Sequence, residues 1–149
     1  MHLKEYYKYI SIIEMNQKIM HPSFSKHGES WALIENVPVD TDFIVSNMGR
    51  VMEESKNKIY HQRKHHASGK PYVRLAYENQ YVTYDVDELV AGAFLPNPEQ
   101  KTYIINIDGN RANNHVSNLQ YCSFEDLHIT EHTNQIGPLA FTTFSHIQF

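Results

Sequence analysis

The sequence predicts an α+β fold: a helix at the start, a β-rich middle, and a second half that mixes short strands with short helices. Three observations predict it. Two hairpin patterns sit in the middle, with apolar and β-branched residues either side of turn residues. Helical spacing appears in three separate stretches: 3–20, 87–94 and 123–132. The 149 residues are 41% hydrophobic and 20% charged, which suits a globular chain of one domain, or of two very small ones. A chain of this length hides roughly 70% of the surface its unfolded form exposes. The expected division is a helix over 1–22, a β module over 30–77, a second unit over 78–133 and a tail over 134–149.

Taken in order, Leu3, Tyr6, Tyr7, Ile10, Ile13 and Met20 recur at three- and four-residue steps. They form a helical stripe that Pro22 ends. That helix either packs on its own core or docks on a partner. Ser23 to Ser30 reads as a polar linker. Phe43-Ile44-Val45 and Arg50-Val51-Met52 flank Ser46-Asn47-Met48-Gly49, a hairpin turn in which Asn and Gly are available for positive φ. Residues 53–71 are polar, rich in Lys and His, and read as a loop. Tyr72–Tyr77 and Tyr81–Val86 form a second hairpin across Glu78-Asn79. Asp87 to Phe94 is a helix that stops at Pro96-Asn97-Pro98. Thr102 to Ile105 is a strand, Asp108-Gly109-Asn110 a tight turn, 118–122 a strand, and Ser123 to His132 a helix capped by Ser123. The tail carries Phe141, Phe144 and Phe149, which need something to pack against.

No apolar run approaches a membrane span, and the first residues lack the pattern of a secretory signal. The single cysteine, Cys122, excludes an internal disulfide framework and fits a reducing compartment. An intracellular location is expected, in the cytoplasm or nucleus of a host or within a virion. Thirteen Lys and Arg against seventeen Asp and Glu give a net charge of −4, the opposite sign to most small domains that bind DNA through its phosphates. The cations that could do so cluster at Lys56, Lys58, Arg63, Lys64, Lys70 and Arg74, with His61, His65 and His66 among them. Tyr60 and Tyr72 are interleaved there and are candidates for stacking on bases. The alternative is an ordinary solvated loop. Adjacent His65 and His66 do not converge readily on one ion, so solvated histidines are expected rather than a transition-metal site. Cys122 reads as a small buried residue rather than a nucleophile.

Two segments carry a resemblance. Trp31, Ile34, Phe43 and the run Val45-Ser46-Asn47-Met48-Gly49-Arg50-Val51 match the companion module W-x-x-I…V-S-N-x-G-R-V. Val86–Phe94 with Pro96-Asn97-Pro98, then Asp108-Gly109-Asn110, Asn113-Asn114, Asn118-Leu119 and Tyr121-Cys122-Ser123 match the second half of the same pattern. Over about residues 30–132 the chain resembles the phage-type HNH homing endonucleases. The resemblance implies a ββα finger that holds one divalent metal, preceded by a small β-rich module, and a viral or phage setting. It also assigns Trp31, Ser46, Asn47, Gly49, Arg50, Asp108, Gly109, Asn113, Asn114 and Asn118 to the scaffold.

In that family the metal stabilises charge on the cleaved phosphodiester and a histidine takes the proton from water. By resemblance, the first ligand position is Ile105, the base position Asn106, and the helix ligand pair Asp126-Leu127. Ile105 and Leu127 offer no oxygen to a hard cation, and Asn106 has no titratable nitrogen near neutral pH. The expectation is therefore an inactive relative that binds DNA or serves as an accessory protein, without a cofactor. DNA contact is weakened by Asp87 and Glu88, which stand where the family helix is basic, with Asp85 beside them. Two alternatives remain: an assembly subunit that meets protein partners through 1–22, 137–149 and the acidic face, or an active nuclease. The nuclease would hold Mg²⁺ or Mn²⁺ on relocated ligands drawn from Asn106, Asp108, Asp126 and His128.

Overall fold

A computed structural model describes residues 25–38 and 40–133, so the expected helix over 1–22 and the tail over 134–149 lie outside the described residues. Three antiparallel sheets follow one another along the chain. The first is β1 (Trp31–Leu33), β2 (Phe43–Ser46), β3 (Val51–Glu53) and β4 (Lys58–Ile59), hydrogen-bonded in that order. The second is β5 (Arg63–Lys64), β6 (Pro71–Tyr77) and β7 (Gln80–Asp85), which leads directly into helix α1 (Val86–Phe94). The third is a two-stranded ribbon of β8 (Tyr103–Asn106) and β9 (Leu119–Cys122), followed by helix α2 (Phe124–Thr133).

Local sequence explains the turns. Glu78 and Asn79 adopt φ of 46° and 63°, the left-handed pair that lets a two-residue loop match the twist of β6 and β7. Gly49 closes the β2–β3 turn at φ 85°. Asn47 does not use positive φ as expected; its side chain is engaged elsewhere, as described below. α1 carries Asp87 and Glu88 in its first turn, where the helix dipole favours them, and ends at Leu95 in extended conformation before Pro96.

The alternation of β2 sorts its residues onto two faces. Phe43 and Val45 join Val51, Val73, Leu75, Val86, Leu89, Val90 and Leu119 in one core, while Ile44 joins Trp31 and Met52 in a second cluster on the other face. Phe94 and Tyr121 are half-buried against the main core, as their spacing suggested. This core takes residues from both sides of the 77/78 boundary, which falls inside the β6–β7 hairpin.

Two expectations need correction. Residues 53–71 are not a plain loop: β4 extends the first sheet and β5 the second, pairing Met52 with Ile59 and Arg63 with Tyr72. Nor is 25–30 a free linker, because Glu29 is only 1% exposed and is pinned by Arg50. Elsewhere the elements fall within a residue or two of their expected bounds.

Candidate functional site

The loop between β8 and β9 is built on one carboxylate. Asp108 Oδ1 accepts from the Asn110 N–H at 2.8 Å and from the Asn118 amide at 2.9 Å, while Oδ2 accepts from the Asn113 amide at 2.8 Å. Asn118 returns a bond by accepting from the Asp108 N–H at 3.0 Å and donates to the Asn113 carbonyl at 2.8 Å. The Asn113 amide, the Asn110 N–H and the Asn118 amide hold the Asp108 carboxyl below its usual range. Gly109 turns the chain at φ 74°. Asp108, Asn113 and Asn118 thus tie the loop together through their own side chains.

The positions aligned with catalysis are occupied differently. Asn106 donates its amide to the Asn113 carbonyl at 2.9 Å and to Asn114 Oδ1 at 3.1 Å, so both its protons tie the loop to the ribbon. Ile105 alternates with it on β8, opposite Gln120. Asp126 closes a reciprocal cap: its Oδ2 accepts from the Ser123 N–H at 2.8 Å while its own N–H donates to Ser123 Oγ at 3.2 Å. Lys101 Nζ stands 3.5 Å from the same carboxylate. Those bonds from Ser123, against the opposing effect of burial, keep the Asp126 carboxyl below its usual range. His128 packs edge-on against Phe124 at 4.3 Å between centroids.

Among the described residues no three His, Cys, Asp or Glu side chains converge on a common point. Ile105 and Leu127 offer no oxygen to a hard divalent cation, whereas Asn106 and Asp126 do. Cys122 is buried, and its burial followed by the nearby Asp126 charge pushes the thiol upward, so it is a packed residue as expected.

The companion motif turns out to be a bracket. Asn47 Oδ1 accepts from the Ser30 N–H at 3.0 Å and its amide donates to the Gly28 carbonyl at 3.1 Å, fastening the segment before β1. The Asn47 carbonyl in turn accepts from the Val116 N–H at 2.8 Å, fastening the finger loop. Ser46 Oγ accepts from the Met48 and Arg50 N–H groups. Arg50 donates its Nε to Glu29 Oε1 at 2.8 Å and lies 5.1 Å over the Trp31 ring.

The basic stretch divides into engaged and available cations. Lys56 pairs with Glu53 at 2.6 Å, Lys58 lies 4.6 Å over the Tyr60 ring, and Lys70 meets Asp87 Oδ2 at 2.7 Å. Arg63 and Lys64 are exposed on β5, and Arg74 is exposed on β6 over the ring of Tyr81 at 5.0 Å. Among the described residues these three make no ion pair. Tyr60 does not serve as a stacking surface: it is 8% exposed, and its hydroxyl donates to Glu53 Oε2 at 3.0 Å. Burial, then Glu53, raises that phenol to about 12. His61 and His66 are exposed as expected, but His65 lies 4.5 Å from the Tyr72 ring and bonds Asp85 Oδ1 at 2.6 Å.

These same contacts overturn the acidic face. Asp87 is 2% exposed and held by Lys70, an ion pair rather than a directional hydrogen bond. Asp85 is bonded to His65, so of the three carboxylates only Glu88 is exposed and without such a partner. Its carboxyl is raised by burial, then by Asp85 and Asp87. Sequence spacing missed Tyr81, the most open large apolar residue at 65% exposure; its place at the turn end of the second hairpin was the available signal.

A β-rich module is thus bracketed to a ribbon whose Asn-tied loop precedes a helix. An uncharacterized HNH endonuclease of Acanthamoeba polyphaga mimivirus is 29% identical over 100 residues, which cover 67% of this chain. The matched stretch spans only 29% of that relative's length. A solved structure describing DNA binding and cleavage by the HNH homing endonuclease I-HmuI aligns with a TM-score of 0.61 at 21% identity. The alignment covers 80% of this chain and 67% of that one. No family model matches. The chain is HNH-endonuclease-like and α+β, as its motifs implied. Among the described residues no helix is long and apolar enough to cross a membrane.

Proposed function

We propose that this chain is a non-catalytic HNH-endonuclease-like protein that binds DNA through the 56–74 stretch. The observation that carries the first half is the state of position 106: the side chain aligned with the general base is an amide with both protons committed to the loop. Neither neighbour in the aligned site, Ile105 or Leu127, supplies a ligand. DNA contact is supported by Arg63, Lys64 and Arg74, which are exposed and make no ion pair among the described residues, and by the absence of any carboxylate between residues 56 and 74. It is supported further by the ion pair of Asp87 with Lys70, which lowers the repulsion at the start of α1. The solved HNH homing endonuclease that shares this fold binds and cleaves DNA. The mimivirus relative favours a viral origin and an intracellular site of action.

Plasmid nicking with Mg²⁺ and Mn²⁺, run beside a gel shift at two salt concentrations, tests both halves. No nicking is expected with either metal. Binding weakens steeply as salt rises, and Arg63→Ala with Lys64→Ala lowers the slope of log affinity against log salt by about 2, one unit per lost phosphate contact. Lys56→Ala, which removes a cation already paired, leaves the slope nearly unchanged. Metal-dependent nicking abolished by Asp126→Ala or His128→Ala would overturn the non-catalytic reading. Absence of binding at low salt would overturn the DNA reading and leave the assembly subunit, with its partner surfaces at 1–22 and 137–149.

A further inference from the structure

From the outer face of the second sheet we infer that the preferred ligand is unpaired, single-stranded DNA rather than the duplex, an inference that rests on the DNA-binding reading above. The register puts the relevant side chains on one surface. Val73 and Leu75 point into the core, so Tyr72, Arg74 and Ala76 point outward. Directly paired residues share a face, which adds Arg63 and Asp85 beside Tyr72, Thr83 beside Arg74, and Tyr81 beside Ala76. The face therefore alternates cation and ring: Arg63, Tyr72, Arg74, Tyr81. Its one carboxylate, Asp85, is covered by His65, which itself lies against Tyr72.

Rings and cations in step suit a strand whose bases are free. Each phosphate can meet a guanidinium while a base lies on a neighbouring ring, whereas a duplex hides its base faces and offers only phosphates. Tyr72 and Tyr81 lie four ladder steps and one strand apart, about 14 Å, which leaves room for more than one nucleotide between them. Tyr81 is 65% exposed, with its ring held under Arg74 at 5.0 Å, so an incoming base finds a positioned surface instead of a mobile one.

Fluorescence anisotropy of the full chain tests this with a labelled mixed-sequence oligonucleotide of roughly 16 nucleotides, single-stranded and as its duplex. The single strand binds about tenfold or more tighter than the duplex. Tyr81→Leu, which keeps apolar bulk and removes the ring, weakens single-strand binding about tenfold and leaves the duplex unchanged. Tyr81→Phe restores the single-strand affinity. Equal or tighter duplex binding, or no response to Tyr81→Leu, would overturn the single-strand preference while salt-sensitive duplex binding left the DNA reading standing. Failure to bind either form would remove both.

Discussion

Arg50→Met lowers the stability of the chain by about 3–5 kcal/mol, because it removes the countercharge from the enclosed Glu29 carboxylate and leaves it only hydrogen bonds such as that from the Lys26 N–H. The Glu29 side chain is fully enclosed, and the Arg50 guanidinium meets both its oxygens. A loss of that size moves the thermal midpoint down by on the order of 10–20 °C, read by circular dichroism. Glu29→Met together with Arg50→Met recovers most of the loss, since an apolar pair carries no desolvation penalty. A midpoint within about 2 °C of wild type for the single variant would show that the pair is not what holds this corner.

The same pair sets the acid limit. Burial alone would raise the Glu29 carboxyl, but Arg50, the Lys26 N–H and Ser46 outweigh it and hold the group at about 2, against an ordinary 4.5. The folded value lies below the unfolded one. The contribution is therefore complete above about pH 4.5 and is lost as pH falls from there toward 2. A shift of this extent corresponds to roughly 3 kcal/mol. Urea titrations at about pH 6 and about pH 3 show the difference in wild type and a much smaller one in the double methionine variant.

Gly49→Ala costs about 2–4 kcal/mol, with two separable sources. An L side chain at φ 85° is strained by itself. Its Cβ would also stand 3.3 Å from Asn114 Cβ, 3.4 Å from the Asn114 carbonyl oxygen and 3.5 Å from Val86 Cγ1. Gly69 is the control: φ is 71° and nothing lies within 4 Å, so Gly69→Ala carries the backbone cost alone. Urea denaturation of the two variants gives the packing cost by difference, and equal losses would mean that the bracket yields freely around Gly49.

The fold was legible wherever local chemistry decided it. Glu78-Asn79 and Gly49 announced their turns, Pro96 stopped α1, and Asp108-Gly109-Asn110 bent as its residue types require. β4 and β5 were not legible, because two-residue strands inside a polar run have no alternation to detect and exist only through pairing with β3 and β6. Burial of polar groups was equally hidden. Glu29 reads as solvated until Arg50 is brought to it across 21 residues, and Asp87 reads as a repelling surface until Lys70 is. Tyr60 looked available because it lies in a polar run rich in Lys and His, although its neighbours in space include Phe43 at 5.7 Å. The departures at Ile105, Asn106 and Leu127 needed no structure to be seen, since they lie in the side-chain types themselves. What those side chains now do was invisible until the loop was seen closed.

On the non-catalytic reading, Asn106 makes this scaffold hard to turn into a catalyst. A neutral imidazole has one N–H where the amide has two. Asn106→His therefore satisfies at most one of the two oxygens that the amide now serves, the Asn113 carbonyl and Asn114 Oδ1. On the reading proposed here, the step that restores a histidine passes first through a less stable intermediate. Drift back to activity is then opposed at that substitution, like a tooth on a ratchet.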